Sequence, residues 1–145
     1  MADAHVIALD PDPYEQYFIS QGFRVGDLVF LSGQVPITED GTIIDGDFDT
    51  QAEATFRNMQ RALEAAGSSL DKVIKVTIFL TDMKADRGKV MALRQRWFTA
   101  PYPADTLVEV SALGDPSRRV EIDAIALVNG EISASAVIHP NKEAT

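Results

Sequence analysis

The C-terminal segment 120–128 constrains the fold more than any other part of the chain, because it is apolar on both faces of a predicted β-strand. Side chains of a strand alternate between the two faces of its sheet. One face of this segment is entirely apolar and consists of Val120, Ile122, Ala124, Ala126 and Val128. The opposite face is half apolar, with Ile125 and Leu127 beside Glu121 and Asp123. Both faces therefore need a covering layer.

The remaining patterns predict two helices and three further strands. Thr50 and Glu53 have the spacing of a capping box at the start of the first helix, which Gly67 ends. The second helix spans about residues 86–98, before Pro101. Strands are predicted at residues 28–31, 73–80, 106–111 and 120–128. The spacing of the last two strands suits a hairpin with a long connection.

This order of elements predicts an α+β fold in which both helices pack on one face of a mixed sheet. The chain has 145 residues, which suits a single domain. We assign residues 1–128 to that domain and residues 129–145 to a C-terminal tail. Apolar surface on the uncovered face would cost about 25 cal/mol per Å². Burial against another subunit would remove that cost, so we expect an oligomer.

The charge of the chain argues against a nucleic-acid partner. Thirteen Lys and Arg residues stand against 22 Asp and Glu residues, for a net charge of −9, and no basic stripe is present. Phosphate groups would be repelled by this field. The N-terminus lacks the pattern of a signal peptide, and no apolar run approaches the ~20 residues that span a bilayer. We therefore expect a cytoplasmic protein with no membrane contact.

Metal and nucleophile chemistry has little support in the composition. The chain has no cysteine, and its two histidines, His5 and His139, lie near opposite ends. A thiolate or histidine metal site, a cysteine nucleophile and a Ser-His-Asp triad are therefore not expected. We predict no metal site.

A group of charged residues near the end of the predicted sheet is the most informative chemical feature. It comprises Asp105, Glu109, Arg118, Arg119, Glu121 and Asp123. Alternation would place Arg119, Glu121 and Asp123 on one strand face. One interpretation is a solvated edge of ion pairs worth at most ~1 kcal/mol each. The other is a functional site, since a carboxylate on a largely apolar face is a candidate for chemistry.

Several segments carry a family likeness. Residues 25–36, VGDLVFLSGQVP, resemble the opening signature of the RidA/YjgF/UK114 family. The likeness continues in order through Asn58, residues 63–83, Pro103-Ala104, residues 108–110 and residues 120–126. It spans roughly residues 19–128.

The resemblance implies a chorismate-mutase-like α+β fold and a homotrimer. In such a trimer the sheets pack inward and the ligand clefts lie between subunits. Studied members of the family hydrolyse reactive enamines and imines made by pyridoxal-phosphate enzymes, release ammonia and need no cofactor. For this chain the resemblance therefore implies a small-molecule ligand at the subunit interface and no cofactor.

Part of the family's site is retained and part is replaced. Glu121 matches the acid thought to activate water, and the backbone at Ser32-Gly33 matches a segment that lines the cleft. The family's cleft residues are replaced at three matching positions. Asp105 stands where an arginine binds the substrate carboxylate, Ile19 where the family has a tyrosine, and Met91 where it has an asparagine.

The change at position 105 bears directly on the substrate. An arginine offers a bidentate fork to a carboxylate, whereas an aspartate repels it. At 4 Å and an effective dielectric constant near 20, the reversal changes the interaction from about −4 to about +4 kcal/mol. Little or no activity is therefore expected on 2-aminoacrylate-type substrates, with a gain in the Asp105→Arg variant.

Two functions remain open. In the first, Glu121 activates water on a C–N or C=N bond of a neutral or cationic substrate, with Asp105 as charge partner or second acid. In the second, the protein binds a small ligand or another protein without catalysis. Arg119 has two possible roles: it supplies the missing positive charge of the cleft, or it pairs with Glu121 at the surface.

Overall fold

One six-stranded mixed sheet organises residues 3–135 and 138, the part of the chain that the computed structural model describes. The strands are β1 (Ala4–Ile7), β2 (Gly22–Val25), β3 (Leu28–Leu31), β4 (Val73–Leu80), β5 (Ala104–Glu109) and β6 (Val120–Leu127). Their order across the sheet is β1-β2-β3-β6-β4-β5. The β4–β5 pair is parallel, and the other neighbours are antiparallel.

Helices α1 (Phe48–Ala65) and α2 (Met83–Trp97) supply the layer that covers one face of the sheet. Phe56, Met59 and Leu63 recur in the sequence at the spacing of one helix face, and all three are fully buried in α1. They pack in one cluster with the apolar face of β6. The prediction of an α+β fold with a mixed sheet is therefore confirmed. Neither helix of the described part of the chain is long and apolar enough to cross a membrane.

The opposite face of the sheet carries an apolar stripe across four strands. The strand register places Val6, Phe23, Phe30 and Ile125 side by side on β1, β2, β3 and β6. Val6 is 61% exposed, Phe23 43% and Phe30 42%. Of this stripe, only Ile125 belongs to the apolar surface from which the sequence predicted an oligomer; Val6, Phe23 and Phe30 extend that surface.

The predicted hairpin between the last two strands is wrong. β5 pairs with β4, and β6 lies between β3 and β4. The helix α2 connects β4 to β5, and such a crossover brings the following strand back parallel to the first. Both edges of β6 are thereby occupied, by β3 and β4.

Local details at the starts of both helices also differ from the prediction. Asp47, not Thr50, caps α1, and its side chain accepts a hydrogen bond from the Thr50 backbone N–H at 2.9 Å. Asp82 caps α2 in the same way through the Ala85 N–H at 2.9 Å, so α2 begins at Met83, three residues before the predicted start. An irregularity in β4 places Val73 in the core, so its register with β6 shifts before Lys75.

The predicted tail, residues 129–145, lies largely outside the described residues. Val137 and His139 are among the positions that the structure does not describe. The boundary after residue 128 stays a prediction.

Candidate functional site

A cleft of about 550 Å³ opens where the end of β3 meets the start of β6. Its volume is within the range of small-molecule sites. Three segments line it: the loop before β2, the turn after β3, and the loop between β5 and β6. Four residues singled out in the sequence meet here, namely Ile19, Ser32, Gly33 and Glu121.

Gly33 lies directly against the carboxylate of Glu121. A Cβ added at Gly33 would lie 2.8 Å from Cδ of Glu121 and would collide with its Oε1. The absent side chain therefore creates the space that the carboxylate occupies.

The carboxyl group of Glu121 has a raised pKa. Burial raises its pKa above the ordinary glutamate value; the charge of Arg118 lowers the pKa, and that of Asp123 raises it. A carboxyl group with a raised pKa exchanges protons more readily near neutral pH than an exposed one. Glu121 is on the open face of the sheet, because the core-facing residues of β6 are its neighbours Val120 and Ile122.

Two hydroxyl groups fix the turn beneath Glu121. Tyr14 donates from its hydroxyl to the Gly33 carbonyl at 2.6 Å, and burial raises the pKa of this phenol so that it keeps its proton. Ser32 donates from its hydroxyl to the Ser20 carbonyl at 2.7 Å. Both side chains therefore tie the turn to the loop before β2.

A buried amide network holds the same loop in place. The Gln21 side chain donates to Asp12 at 2.8 Å, and Gln34 donates to Gln21 at 3.3 Å and to the Ser32 carbonyl at 3.1 Å. The Gln34 backbone also exchanges two hydrogen bonds with Ile122 of β6, at 2.7 and 3.0 Å. The turn is therefore attached rigidly to the strand that carries Glu121.

Arg118 is the cation that lines this cleft, and sequence reasoning placed no role on it. It is three residues before Glu121, in the loop that leads into β6. Only the presence of Arg118 in the charged group of residues 105–123 pointed to it, because a loop residue has no periodicity from which its direction can be predicted.

Arg119 points to the helical layer. Its guanidinium makes three hydrogen bonds to the Asp86 carboxylate of α2, at 2.8 to 3.1 Å. Asp86 is 1% exposed, so this ion pair joins α2 to the residue just before β6. The expectation that Arg119 shares a face with Glu121 is therefore wrong, as is the expectation that the two pair. Residue 119 precedes β6, so strand alternation does not govern its direction.

Asp105 and Met91 belong to a second cavity, of about 420 Å³. Asp105 accepts two hydrogen bonds from the Arg94 guanidinium of α2, at 2.8 and 2.5 Å. Its register partner on β4, Val76, is fully buried beneath the helices, so the Asp105 side chain is directed to the helical face.

Within one chain, Glu121 and Asp105 are directed to opposite faces of the sheet. The registers separate them by two strand spacings and three residues of rise, which is roughly 14 Å between Cα atoms. One copy of the chain thus does not bring these two carboxylates together.

The donor sets at these two cavities suit an organic ligand better than a metal. Among residues 3–135 and 138, no group of three His, Cys, Asp or Glu side chains could hold a metal ion. The cleft around Glu121 presents one arginine, hydroxyl groups and apolar walls, which is a pattern that recognises a small polar molecule.

Comparison with known proteins places the chain in a family. The family model described as Endoribonuclease L-PSP matches residues 8–128. The RutC family protein PH0854 of Pyrococcus horikoshii is 40% identical over 117 residues, which is 80% of this chain and 90% of that protein. A 2-iminobutanoate/2-iminopropanoate deaminase of Dermatophagoides farinae is 32% identical over 121 residues, 83% of this chain and 91% of that protein.

A solved structure gives the same result. YyfA of Yersinia pestis, described as a protein of unknown function of the conserved Rid protein family, superposes with a TM-score of 0.80 at 32% identity. The match covers 87% of this chain and all of that one. These findings agree with the sheet that carries two helices on one face. The chain therefore belongs to the Endoribonuclease L-PSP family, which is also called the RidA/YjgF/UK114 family.

Proposed function

We propose that this protein hydrolyses the C–N bond of a small imine or enamine, with Glu121 as the general acid and base. The observation that carries the proposal is the half-buried Glu121 carboxyl in the cleft, held against Gly33 with its pKa raised by burial. The deaminase among the relatives supports the same reaction class.

The reaction needs one group that first removes a proton and then returns it. The imine nitrogen first takes a proton from solvent, and an enamine reaches the same protonated imine by taking a proton at carbon. Ionised Glu121 takes a proton from water as the water oxygen adds to the C=N carbon, which gives a neutral carbinolamine. Protonated Glu121 then gives that proton to the nitrogen, the C–N bond breaks and ammonia leaves, and the hydroxyl proton passes to Glu121 and on to solvent as the C=O bond forms. The sum is imine plus water to carbonyl compound plus ammonia.

The cleft supplies the rigidity that this sequence of proton transfers requires. Tyr14 and Gln34 fix the turn at Ser32-Gly33, and that turn bounds the position of the Glu121 carboxyl. A positioned acid or base typically contributes 10²–10⁴-fold to a rate. In this mechanism Ile19 forms part of the apolar wall on which the substrate lies.

The complete site contains a second copy of the chain in this proposal. β5 is the edge strand of the sheet and carries Asp105, and the apolar stripe leaves the open face unpaired. A homotrimer would bury that stripe and bring the Asp105 and Met91 region of one subunit to the Glu121 cleft of its neighbour. The polyanion suggested by the family's name is not our proposed substrate, since the net charge is −9.

The test compares Glu121→Gln with Glu64→Gln, an exposed glutamate of α1. The substrates are 2-iminobutanoate, made in situ from 2-aminobutanoate by an amino-acid oxidase, and propan-1-imine, made from propylamine by an amine oxidase. We expect Glu121→Gln to lower enzyme-dependent imine loss on at least one substrate by 100-fold or more, and Glu64→Gln to leave it unchanged. Wild-type protein that accelerates neither reaction would refute hydrolysis and favour the ligand-binding alternative.

A further inference from the structure

We propose that Arg118 is the anion-binding residue of the cleft, so that the ligand is a carboxylate-bearing molecule held by the same chain that supplies Glu121. That this ligand is a reacting imine or enamine rests on the proposed function above. The binding role of Arg118 does not rest on it. The sequence offered Arg119 as a replacement for the family's arginine at position 105, but Arg119 pairs with Asp86 in the structure.

The first argument is that the backbone at Arg118 is held on both sides. Its N–H donates to the Asp115 carbonyl at 3.1 Å, and its carbonyl accepts from the Thr81 hydroxyl at 3.3 Å. The buried Gln51 side chain of α1 bonds the residues on either side, accepting from the Arg119 N–H at 2.7 Å and donating to the Ser117 carbonyl at 2.9 Å. The guanidinium therefore projects from a fixed point.

The second argument is that the guanidinium has no acceptor among the described residues. Arg118 is absent from every ion pair in that part of the chain, and its Nε–H is covered without a hydrogen-bond partner. Arg119 and Arg94, by contrast, are each saturated by a carboxylate. A covered donor without an acceptor costs free energy, which a bound acceptor would recover.

The third argument concerns the acids that face Arg118. Asp115 and Glu121 both line the cleft, but neither forms an ion pair with Arg118. The Asp115 carboxylate is occupied in its own turn, where it accepts from the Ser117 N–H and hydroxyl at 2.8 and 2.6 Å. Gly114 leaves room for the guanidinium, since an added Cβ there would lie 3.0 Å from Nη1 of Arg118.

A carboxylate suits the unpaired guanidinium of Arg118 better than a neutral group does. The planar guanidinium offers two parallel N–H donors, which match the two oxygens of a carboxylate. Arg118 and Glu121 line the same cleft, so a ligand whose carboxylate pairs with Arg118 lies in the cleft that holds Glu121. In this assignment Arg118 makes the contact to a carboxylate that Asp105 cannot make.

The binding experiment uses 2-oxobutanoate, the expected product, with butan-2-one as the uncharged probe of similar size. Calorimetry measures both on wild type, Arg118→Met, Arg118→Lys and the control Arg57→Met, which removes an exposed arginine of α1. We expect Arg118→Met to weaken 2-oxobutanoate binding at least tenfold, Arg118→Lys to weaken it less, and Arg57→Met to leave it unchanged. Absence of wild-type binding, or equal binding by Arg118→Met, would overturn the proposal.

The kinetic experiment separates this inference from the proposed function. We expect Arg118→Met to raise the KM for 2-iminobutanoate at least tenfold more than it raises the KM for propan-1-imine, with both measured at the plateau of their pH profiles because Arg118 also acts on the pKa of Glu121. Equal losses on both imines would overturn the anchor and assign Arg118 a structural role. A change confined to the pH dependence of kcat would instead assign it to the tuning of Glu121. Loss of all activity in Glu121→Gln with an unchanged Arg118→Met profile would refute the anchor alone.

Discussion

At the scale of single residues, Gly33 lies directly against the carboxyl group of Glu121. We predict that Gly33→Ala lowers imine hydrolysis at least tenfold, because the new methyl group occupies the space of the Glu121 carboxyl. The matched control is Gly88→Ala on α2, where an added Cβ meets nothing within 4 Å and helix propensity favours alanine. Steady-state rates check the prediction, and full activity of Gly33→Ala would contradict it.

The ionisation of Glu121 gives a second residue-scale prediction. In the proposed mechanism hydrolysis requires the carboxylate, so we expect the acid limb of kcat/KM to follow the pKa of Glu121, which lies above its ordinary value. Asp123 raises that pKa, so Asp123→Asn should move the limb to lower pH; the exposed Asp71→Asn should not move it. A pH–rate profile measures the shift, and movement to higher pH would show that the sign is wrong.

The raised pKa of Glu121 also makes the stability of the folded state depend on pH. A folded-state pKa above the unfolded value means that Glu121 favours the folded state at low pH and loses that contribution as pH rises through the folded pKa. Glu121→Gln removes this loss. Its free energy of unfolding should therefore exceed that of wild type near neutral pH, and the difference should vanish in acid.

At the scale of elements, the loop between β5 and β6 is positioned from the helical layer. Asp86 of α2 holds Arg119, and Gln51 of α1 holds the adjoining backbone. We predict that Asp86→Asn lowers the free energy of unfolding by about 2 kcal/mol, because a buried charged acceptor is lost and Arg119 is left uncompensated. Asp49→Asn, at an exposed ion pair with Lys89, should cost less than about 1 kcal/mol. Equal urea-unfolding midpoints for the two variants would contradict this account.

The ion pair between Asp105 and Arg94 links β5 to α2. Asp105→Arg breaks this pair, which affects the gain in activity expected for that variant. That single change sets two guanidinium groups side by side, so we predict a melting temperature lower by roughly 2–4 °C. The double variant Arg94→Asp/Asp105→Arg restores an opposite-charge pair and should recover most of the loss. Any gain in 2-iminobutanoate turnover should therefore be clearer in the double variant, and thermal unfolding with ammonia release measures both effects.

At the scale of the whole molecule, the apolar stripe on the open face is the surface through which we expect subunits to associate. We predict a trimer, with a mass near three times 15.8 kDa in sedimentation equilibrium. Phe30→Glu places a charge in the stripe and should yield smaller species, whereas Ala65→Glu, at an exposed position on α1, should not. Wild-type protein that remains a folded monomer at micromolar concentration would contradict the assembly and the shared cleft.

The sequence by itself determined the elements whose patterns are local. Periodicity in 120–128 indicated a strand with two apolar faces, and the spacing of Phe56, Met59 and Leu63 indicated the buried face of α1. The motif likeness determined the family. The strand and the helix are recognised from apolar residues that recur at the fixed period of each element, and this pattern lies within a short stretch of neighbouring residues.

Only the tertiary structure decided which distant groups meet. The placement of β6 between β3 and β4 brings Glu121 to the Gly33 turn, and the crossover through α2 turns Asp105 to Arg94 on the other face. The loop before β6 directs Arg118 to the cleft and Arg119 to Asp86, although the two are adjacent in sequence. Strand pairing and loop direction depend on contacts between residues far apart in the chain, so no local pattern specifies them.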